Sequence, residues 1–417
     1  MLTSENTIAG KIAFVFLCLF AVGLAFSISI AQTGLGLAFL VFLATLSTKR
    51  GRATLNLAGA PRLKILYAAL LLWVAWRIFH IAISPVPLAE LKEAREVWLM
   101  LIPLFIYLYA SDRRRLWILV ACFILGVAIS SGYGAWKMRD DFWNMVRGRG
   151  LSGMHHLNFA GMSALASVLG LGLTWAYYYS GKKRKALLVF LLTFVAAVGL
   201  WLTKSRGAIA ATAAILPVFV YIQLYNRVQR LIFALVILTL GALVIYRVPD
   251  VVAKEFVFPP PQEHVGSQAE RRDLWLAGVQ MIKDRPIVGW GERGYNLAYG
   301  KYQVPGAFGV AVYDTKWNEA SHMHNDFINT WVLYGAVGLL IQLFYYFFGG
   351  FLYLRERFKI RRESDRPLAA AAATCLPLMA FMGLTQCHFT SEIVQMSFWL
   401  AVGVLFAVLE SDRAGTA

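Results

Sequence analysis

Long apolar runs recur along almost the whole sequence, and they constrain the fold more than any other feature. Crossing the hydrocarbon core of a bilayer takes roughly 20 residues of α-helix, and about twelve runs approach that length. Helices satisfy their own backbone hydrogen bonds in lipid, so we predict an all-α polytopic membrane protein with about twelve transmembrane helices. The predicted spans are 12–30, 34–48, 63–83, 97–110, 115–134, 156–179, 186–203, 208–225, 231–246, 326–354, 368–387 and 393–410.

The charge of the chain supports this class and excludes others. Charged residues make up 15% of the sequence, against roughly 25% in soluble domains, and the apolar content is too high for a disordered chain. A net charge of +17 also occurs in nucleic-acid binding proteins, but here the basic residues cluster in short loops between apolar runs. That clustering follows the positive-inside rule, so we predict membrane lipids and no nucleic acid as partners, with both termini in the cytoplasm.

A polar segment at 247–325 divides the chain into three parts. Residues 1–246 hold about nine predicted spans and residues 326–417 hold about three, which places the segment between them on the outer side. It opens with a proline-rich stretch and then shows a helical pattern from about Ser267 to Lys283. Pro286 should end that helix, because the residue before a proline leaves the helical region. We expect a large, ordered and partly helical cap on the outer face.

Basic residues at the outer edge are the first candidates for chemistry. Lys204 and Arg206 stand in a very short turn between two predicted spans, and Arg147 and Arg149 stand in a longer outer loop. Cations at a membrane edge often only reach toward the lipid headgroups, and loop arginines are often only solvated. Against that reading, the guanidinium group presents a rigid fork of donors that suits phosphate oxygens. A cluster of this kind would suit a lipid diphosphate.

A second candidate group, which reads SHMHND at 321–326, precedes the next predicted span. Ser321 is predicted to cap that helix, and Asp326 suits its first turn. His322 and His324 are two positions apart and share no helix face, which disfavours a metal pair. No Asp-x-Asp motif occurs, so we predict a mechanism without metal or other cofactor. His324 is either a satisfied interfacial residue or a general base, because neutral imidazole accepts a proton near neutral pH.

Three motifs in order resemble the signature of the O-antigen ligase and polymerase superfamily. The first is the KSRG turn at 204–207. The second is RRDLW at 271–275 followed by IKDRPIVGWG at 282–291, and the third is HNDF at 324–327 followed by YGAVG at 334–338. The resemblance covers roughly 190–345, and the length and span count are closest to those of O-antigen ligases.

The resemblance implies a GT-C-like glycosyltransferase, independent of metal and nucleotide, at the periplasmic face of the bacterial inner membrane. Its donor would be a glycan on undecaprenyl diphosphate, and its acceptor a sugar hydroxyl of lipid A–core oligosaccharide, which completes lipopolysaccharide. The family's essential arginine and histidine map onto Arg206 and His324. Arg206 would stabilise the diphosphate leaving group, and His324 would act as general base. The predicted substrate-binding residues are Arg147, Arg149, Lys204, Arg293, His322, Asn325 and Arg272.

The motifs are also compatible with other functions. An O-antigen polymerase uses the same kind of donor with a second lipid-linked glycan as acceptor, and a related transferase glycosylates a protein such as pilin. The motifs do not separate these acceptors, because acceptor choice depends on the shape of the cavity. A transporter of lipid-linked glycan is disfavoured, since no internal repeat is found and charges stand mostly at span ends, with Arg77 the deepest.

Overall fold

The computed structural model describes residues 7–48, 60–139, 154–224, 226–247, 267–302 and 322–414. Within these ranges the chain is helical and has no strand. The N-terminal part forms α1 (Ile8–Gly23), α2 (Ile28–Leu46), α3 (Pro61–Ile83), α4 (Pro87–Glu93), α5 (Ile102–Ala110), α6 (Arg113–Lys137), α7 (His156–Tyr179), α8 (Lys183–Leu202), α9 (Arg206–Gln223) and α10 (Arg227–Arg247). The cap forms α11 (Ser267–Asp284) and α12 (Glu292–Ala298), and the C-terminal part forms α13 (Asp326–Glu356), α14 (Arg366–Gly383) and α15 (Glu392–Ala414).

The prediction of an all-α polytopic membrane protein is confirmed. Nine helices within the described ranges are long and apolar enough to cross a bilayer, and α1, with 16 residues, is a shorter apolar helix. The predicted span 97–110 is not one continuous helix, because Ala94–Leu101 form a 3₁₀-helix and α5 begins only at Ile102. Pro103 accounts for this start, since proline suits the first turn of an α-helix and not its interior.

Three helices form the centre of the bundle. In the most apolar stretch of α15, 94% of the residues are buried inside the protein. In the corresponding stretches of α7 and α14, 83% of the residues are buried. In α2 and α3 the share is 22%, so these helices turn most of their apolar surface outward, toward lipid. Helix α7 packs against α8 and α14, where Gly170 and Gly172 let the helices approach closely.

Helix α13 is broken at Gly335, and the cap is bound to the bundle at this break. Gly335 has φ 66° and ψ −169°, a region that is essentially restricted to glycine. The N–H groups of Trp290 and Gly291 donate to carbonyls of α13 at 2.9 and 2.7 Å. In return, the Ala336 N–H donates to the Pro286 carbonyl at 2.9 Å. Backbone groups that the break frees are therefore satisfied by the cap.

Replacing Gly335 with alanine is expected to lower the free energy of unfolding by about 2–4 kcal/mol. A Cβ at this position would lie 1.9 Å from the carbonyl oxygen of Ile287, and the positive φ adds backbone strain. The measurement is the thermal midpoint of the purified protein in detergent. Gly132→Ala is the matched control, because a Cβ there meets nothing within 4 Å. Equal midpoints for the two variants would contradict a structural role for the break.

Candidate functional site

The cationic turn between α8 and α9 is short and tightly built. Helix α8 ends at Leu202 and α9 begins at Arg206. Lys204 has φ 52°, a left-handed conformation that is uncommon outside glycine, and the Ser205 N–H donates to the Thr203 hydroxyl at 3.2 Å. The Arg206 side chain is exposed. The Nζ atom of Lys204 is shielded from solvent and has no hydrogen-bond partner among the described residues. The turn therefore presents an exposed cation, Arg206, close to a shielded one, Lys204.

Gly207 brings this turn against the segment 384–391, which joins α14 to α15. A Cβ at Gly207 would lie 2.0 Å from Thr385 Oγ1, so a larger residue would push the two segments apart. Thr385 is followed directly by Gln386, whose side chain contacts both candidate histidines. The joining segment therefore connects the turn of Arg206 with His324, although the two residues are distant in the sequence.

Gln386 bridges the two histidines. Its Oε1 atom lies 2.7 Å from Nδ1 of His324, and its Nε2 atom lies 3.1 Å from Nε2 of His322. The centroids of the two imidazole rings are 4.5 Å apart. His324 itself has φ 49°, a backbone strain that persists where the surroundings hold a residue firmly and that clusters at functional sites.

The bridge determines which nitrogen of each ring carries the proton. An amide oxygen only accepts, so Nδ1 of His324 donates to Gln386 and the lone pair of His324 is left on Nε2. An amide nitrogen only donates, so Nε2 of His322 accepts from Gln386. In this tautomer Nε2 of His324 carries a lone pair that can accept a proton, whereas the lone pair of His322 accepts from the amide of Gln386.

Asn325 and Asp326 anchor the histidines to the bundle. The Asn325 Oδ1 atom accepts from two N–H groups in the first turn of α13, at 3.0 Å each, and its Nδ2 atom donates to the Leu384 carbonyl at 3.0 Å. The buried Asp326 carboxylate accepts from the Phe389 N–H at 3.0 Å. The prediction that Ser321 caps this helix is wrong, because Asn325 occupies the cap position. Ser321 lies outside the described residues.

Helix α11 covers the histidines from the side of the cap. The Trp275 Nε1–H donates to the carbonyl of Met323, between the two histidines, at 2.8 Å. Burial lowers the pKa of His322 to about 4, and the positive charge of Arg271 contributes to that shift. The predicted binding residue Arg272 instead forms an ion pair with Asp273, at 3.0 Å. The charge of the neighbouring Arg271, which is not among the predicted binding residues, acts on His322.

The remaining predicted arginine of the cap, Arg293, lies where α12 meets α4. Its guanidinium group forms an ion pair with Glu93, and its backbone N–H donates to Glu90 at 3.0 Å. Next to it, the buried Arg77 pairs with Glu292 at 2.8 Å. Arg77, the cation placed deepest in the predicted spans, is therefore paired with the cap. This ion pair explains why Arg77 is buried without invoking an ion pathway.

A polar cavity of about 410 Å³ lies beside His322. Among the predicted site residues that the structure describes, His322 is the one that lines it. The other polar residues of the wall offer carboxylates that accept hydrogen bonds, amides that do both, and one guanidinium group. They are Arg77, Glu93, Glu96, Glu292, Asn296, Asp326, Asn329, Thr330, Gln342, Thr390 and Gln395.

The structure thus places the predicted residues in three groups. Lys204, Arg206, His322, His324 and Asn325 lie on segments that contact the joining segment 384–391. The cap arginines of the prediction lie in ion pairs. Arg147 and Arg149 lie outside the described residues. Within the described ranges, no group of three or more His, Cys, Asp or Glu side chains is arranged to hold a metal ion.

Stability is expected to decline as the pH falls from about 6.5 to 4. Burial lowers the pKa of both His322 and His388 to about 4, below the unfolded value of roughly 6.5. Each histidine therefore contributes stability that is present above pH 6.5 and is lost, by about 1.4 kcal/mol per pH unit, as the pH falls toward 4. The measurement is the thermal midpoint against pH for wild type and His388→Asn. The variant should decline less steeply, and identical curves would contradict the assignment.

Comparison with known proteins agrees with the motifs. Residues 191–343 match the family model described as O-antigen ligase. This match confirms the resemblance, and its range contains the cationic turn, α11 and both histidines of the bridge. It supports a membrane enzyme of the glycosyltransferase type with O-antigen ligase or polymerase activity. No curated protein matches the chain.

Proposed function

We propose, because residues 191–343 match the O-antigen ligase family model, that the protein transfers a glycan from undecaprenyl diphosphate to a sugar hydroxyl of lipid A–core oligosaccharide. The transfer takes place at the periplasmic face of the bacterial inner membrane and completes lipopolysaccharide. The observation that carries the proposal is the joining segment, where the turn of Arg206 contacts Thr385 while Gln386 holds His324.

The cationic turn serves the leaving group. The bond that breaks joins the anomeric carbon of the glycan to a diphosphate oxygen, and the electron pair leaves with the diphosphate. Arg206 stabilises the charge that develops there by donating hydrogen bonds to the phosphate oxygens. Lys204 adds a shielded positive charge.

The histidine bridge serves the acceptor. The acceptor oxygen attacks the anomeric carbon, and its proton passes to Nε2 of His324, whose Nδ1 proton is held by Gln386. A single displacement of this kind inverts the anomeric configuration. The polar cavity beside His322 supports placing the acceptor sugars there, since its wall both donates and accepts hydrogen bonds.

Reconstitution tests the function. The purified protein is mixed with undecaprenyl-diphosphate glycan and lipid A–core, with EDTA and without nucleotide, and the products are separated by mass. Formation of lipid A–core that carries the glycan would support the ligase function. Longer glycan on the carrier lipid would identify a polymerase instead, and product only on added pilin would identify a protein transferase. Absence of any product from verified substrates would contradict glycan transfer.

Replacing Gln386 with glutamate is expected to shift the pH dependence of transfer upward by about one to two units. A carboxylate beside Nδ1 favours the protonated ring of His324, so a higher pH is needed to free the base. Gln386→Leu should slow transfer at every pH without this shift. The measurement is kcat against pH for both variants, in which the neighbouring His155, His322 and Arg271 are unchanged. Unshifted profiles for the glutamate variant would contradict the positioning role.

A further inference from the structure

A basic pocket lies at the end of the bundle opposite the candidate site. Helix α8 runs from Lys183, beside the pocket, to Leu202, beside the cationic turn, a length of about 30 Å. The pocket has a volume of about 430 Å³ and is lined by the start of α6, the turn between α7 and α8, and the loop before α14. By the positive-inside rule, this end of the bundle is predicted to face the cytoplasm.

Five cationic side chains from three separate segments converge on this pocket. Among the residues that line it, Asp112 is the acidic one, and its Oδ2 atom accepts from two N–H groups at the start of α6, at 3.0 and 3.3 Å. That carboxylate is engaged in capping the helix, which leaves a large excess of positive charge. The cations are Arg113, Arg114, Lys182, Lys185 and Arg362.

Arg113 is fixed as part of the pocket wall. One of its NH2 groups donates to the Ser180 hydroxyl at 2.6 Å, and its Nε atom lies 3.0 Å from a carboxylate oxygen of Asp365. The guanidinium group also covers the ring of Trp117, 4.2 Å from the centroid. These contacts tie α6 to the end of α7 and to the loop before α14. The packing of these three segments against each other therefore forms the wall of the pocket.

The other four cations have no acidic partner in the part of the chain that the structure describes. Like charges around one cavity repel each other, and an anion between them removes that repulsion. The pocket is also lined by the apolar or aromatic side chains of Trp117, Ile118 and Tyr177, which belong to the membrane-spanning helices α6 and α7. A ligand that fits this mixed lining carries a phosphate next to apolar chains.

We propose that this pocket binds the phosphate of an anionic membrane lipid. The phosphate lies among the cations, and the acyl chains run along Trp117 and Ile118. Basic pockets between membrane-spanning helices bind such headgroups, and arginine pairs well with phosphate oxygens. The positive-inside rule explains why basic residues gather at this end, but it explains neither their convergence on one cavity nor the apolar part of its lining.

Two pairs of substitutions at the start of the same helix test the proposal. Lys182→Gln with Lys185→Gln removes two charges from the pocket, whereas Lys183→Gln with Arg184→Gln removes two exposed charges that do not line it. The full-length protein is stripped of lipid in detergent. Its thermal midpoint is then titrated with dioleoylphosphatidylglycerol, dioleoylphosphatidylcholine or inorganic phosphate, which gives apparent Kd values.

Wild type and the control pair should bind phosphatidylglycerol with apparent Kd values within about twofold, and the pocket pair should bind about 25-fold more weakly, at roughly fivefold per charge. Phosphatidylcholine should bind more weakly than phosphatidylglycerol to wild type. Equal losses in both pairs would overturn the proposal, because the general surface charge would then account for binding. Unchanged binding in both pairs would overturn it as well. If inorganic phosphate binds as tightly as phosphatidylglycerol and is weakened equally by the pocket pair, the pocket is a phosphate site. That result would overturn a membrane lipid as the source of the phosphate.

Discussion

Replacing His324 with alanine is expected to slow glycan transfer by a factor of about 10² to 10⁴, the usual contribution of a positioned general base. The loss should appear in kcat, because the base acts on the acceptor proton in the transition state and contributes little to donor binding. The measurement is the rate of lipid A–core extension with both substrates at saturation. Donor binding, measured separately by its effect on the thermal midpoint, should change little.

His322→Ala is the matched comparison for this prediction. His322 stands two positions away and contacts the same Gln386 side chain, but its Nε2 atom is engaged by the amide. Its replacement should therefore cost less activity than the replacement of His324. The opposite order would assign the base to His322, and full activity of both variants would remove the histidines from the mechanism.

Replacing Arg206 with alanine is expected to lower kcat by about 10² to 10³, as the loss of one fixed donor to a developing oxyanion does. Arg206→Lys should recover only part of the rate, because an ammonium group keeps the charge but lacks the planar fork that binds two phosphate oxygens. The measurement is kcat for both variants under the conditions used for His324. Arg206 is exposed and begins a helix, so the thermal midpoint should be nearly unchanged.

Arg227→Ala provides the control for Arg206. Arg227 is also exposed and also begins a helix, α10, but it lies at the other end of α9. Removing it subtracts the same charge from the protein without touching the cationic turn. Comparable losses in the two variants would attribute the effect to net charge, and would contradict a role of Arg206 at the diphosphate.

The helices could largely be predicted from the sequence, because each is decided by local properties. Length and apolar content set the spans, so the predicted span 156–179 has the same bounds as α7. Helix α11 likewise begins at Ser267 and ends at Asp284, before Pro286, as the pattern predicts. The division of 97–110 also had a local signal in Pro103, which the apolar character of the run obscured.

The candidate site could be predicted only in part. The motifs point to Arg206 and His324, but not to Gln386, which stands 62 positions after His324. A glutamine at the end of a span carries no local sign of its partner, and the bridge exists only once α13 and α14 have packed. The sequence also offers Arg271 and Arg272 side by side, and it is the fold that lets the charge of Arg271 act on His322 while Arg272 pairs with Asp273.

The adjacency of Thr385 and Gln386 bears on how a membrane enzyme keeps its reactants aligned. One residue touches the turn of Arg206, and the next holds His324. Consecutive Cα atoms stay about 3.8 Å apart however the helices tilt. When the bilayer thins or α14 slides, both contacts are carried along together. In the proposed mechanism, two consecutive residues then set the spacing between the cation at the leaving group and the base at the acceptor, which favours the ångström-scale alignment that group transfer requires.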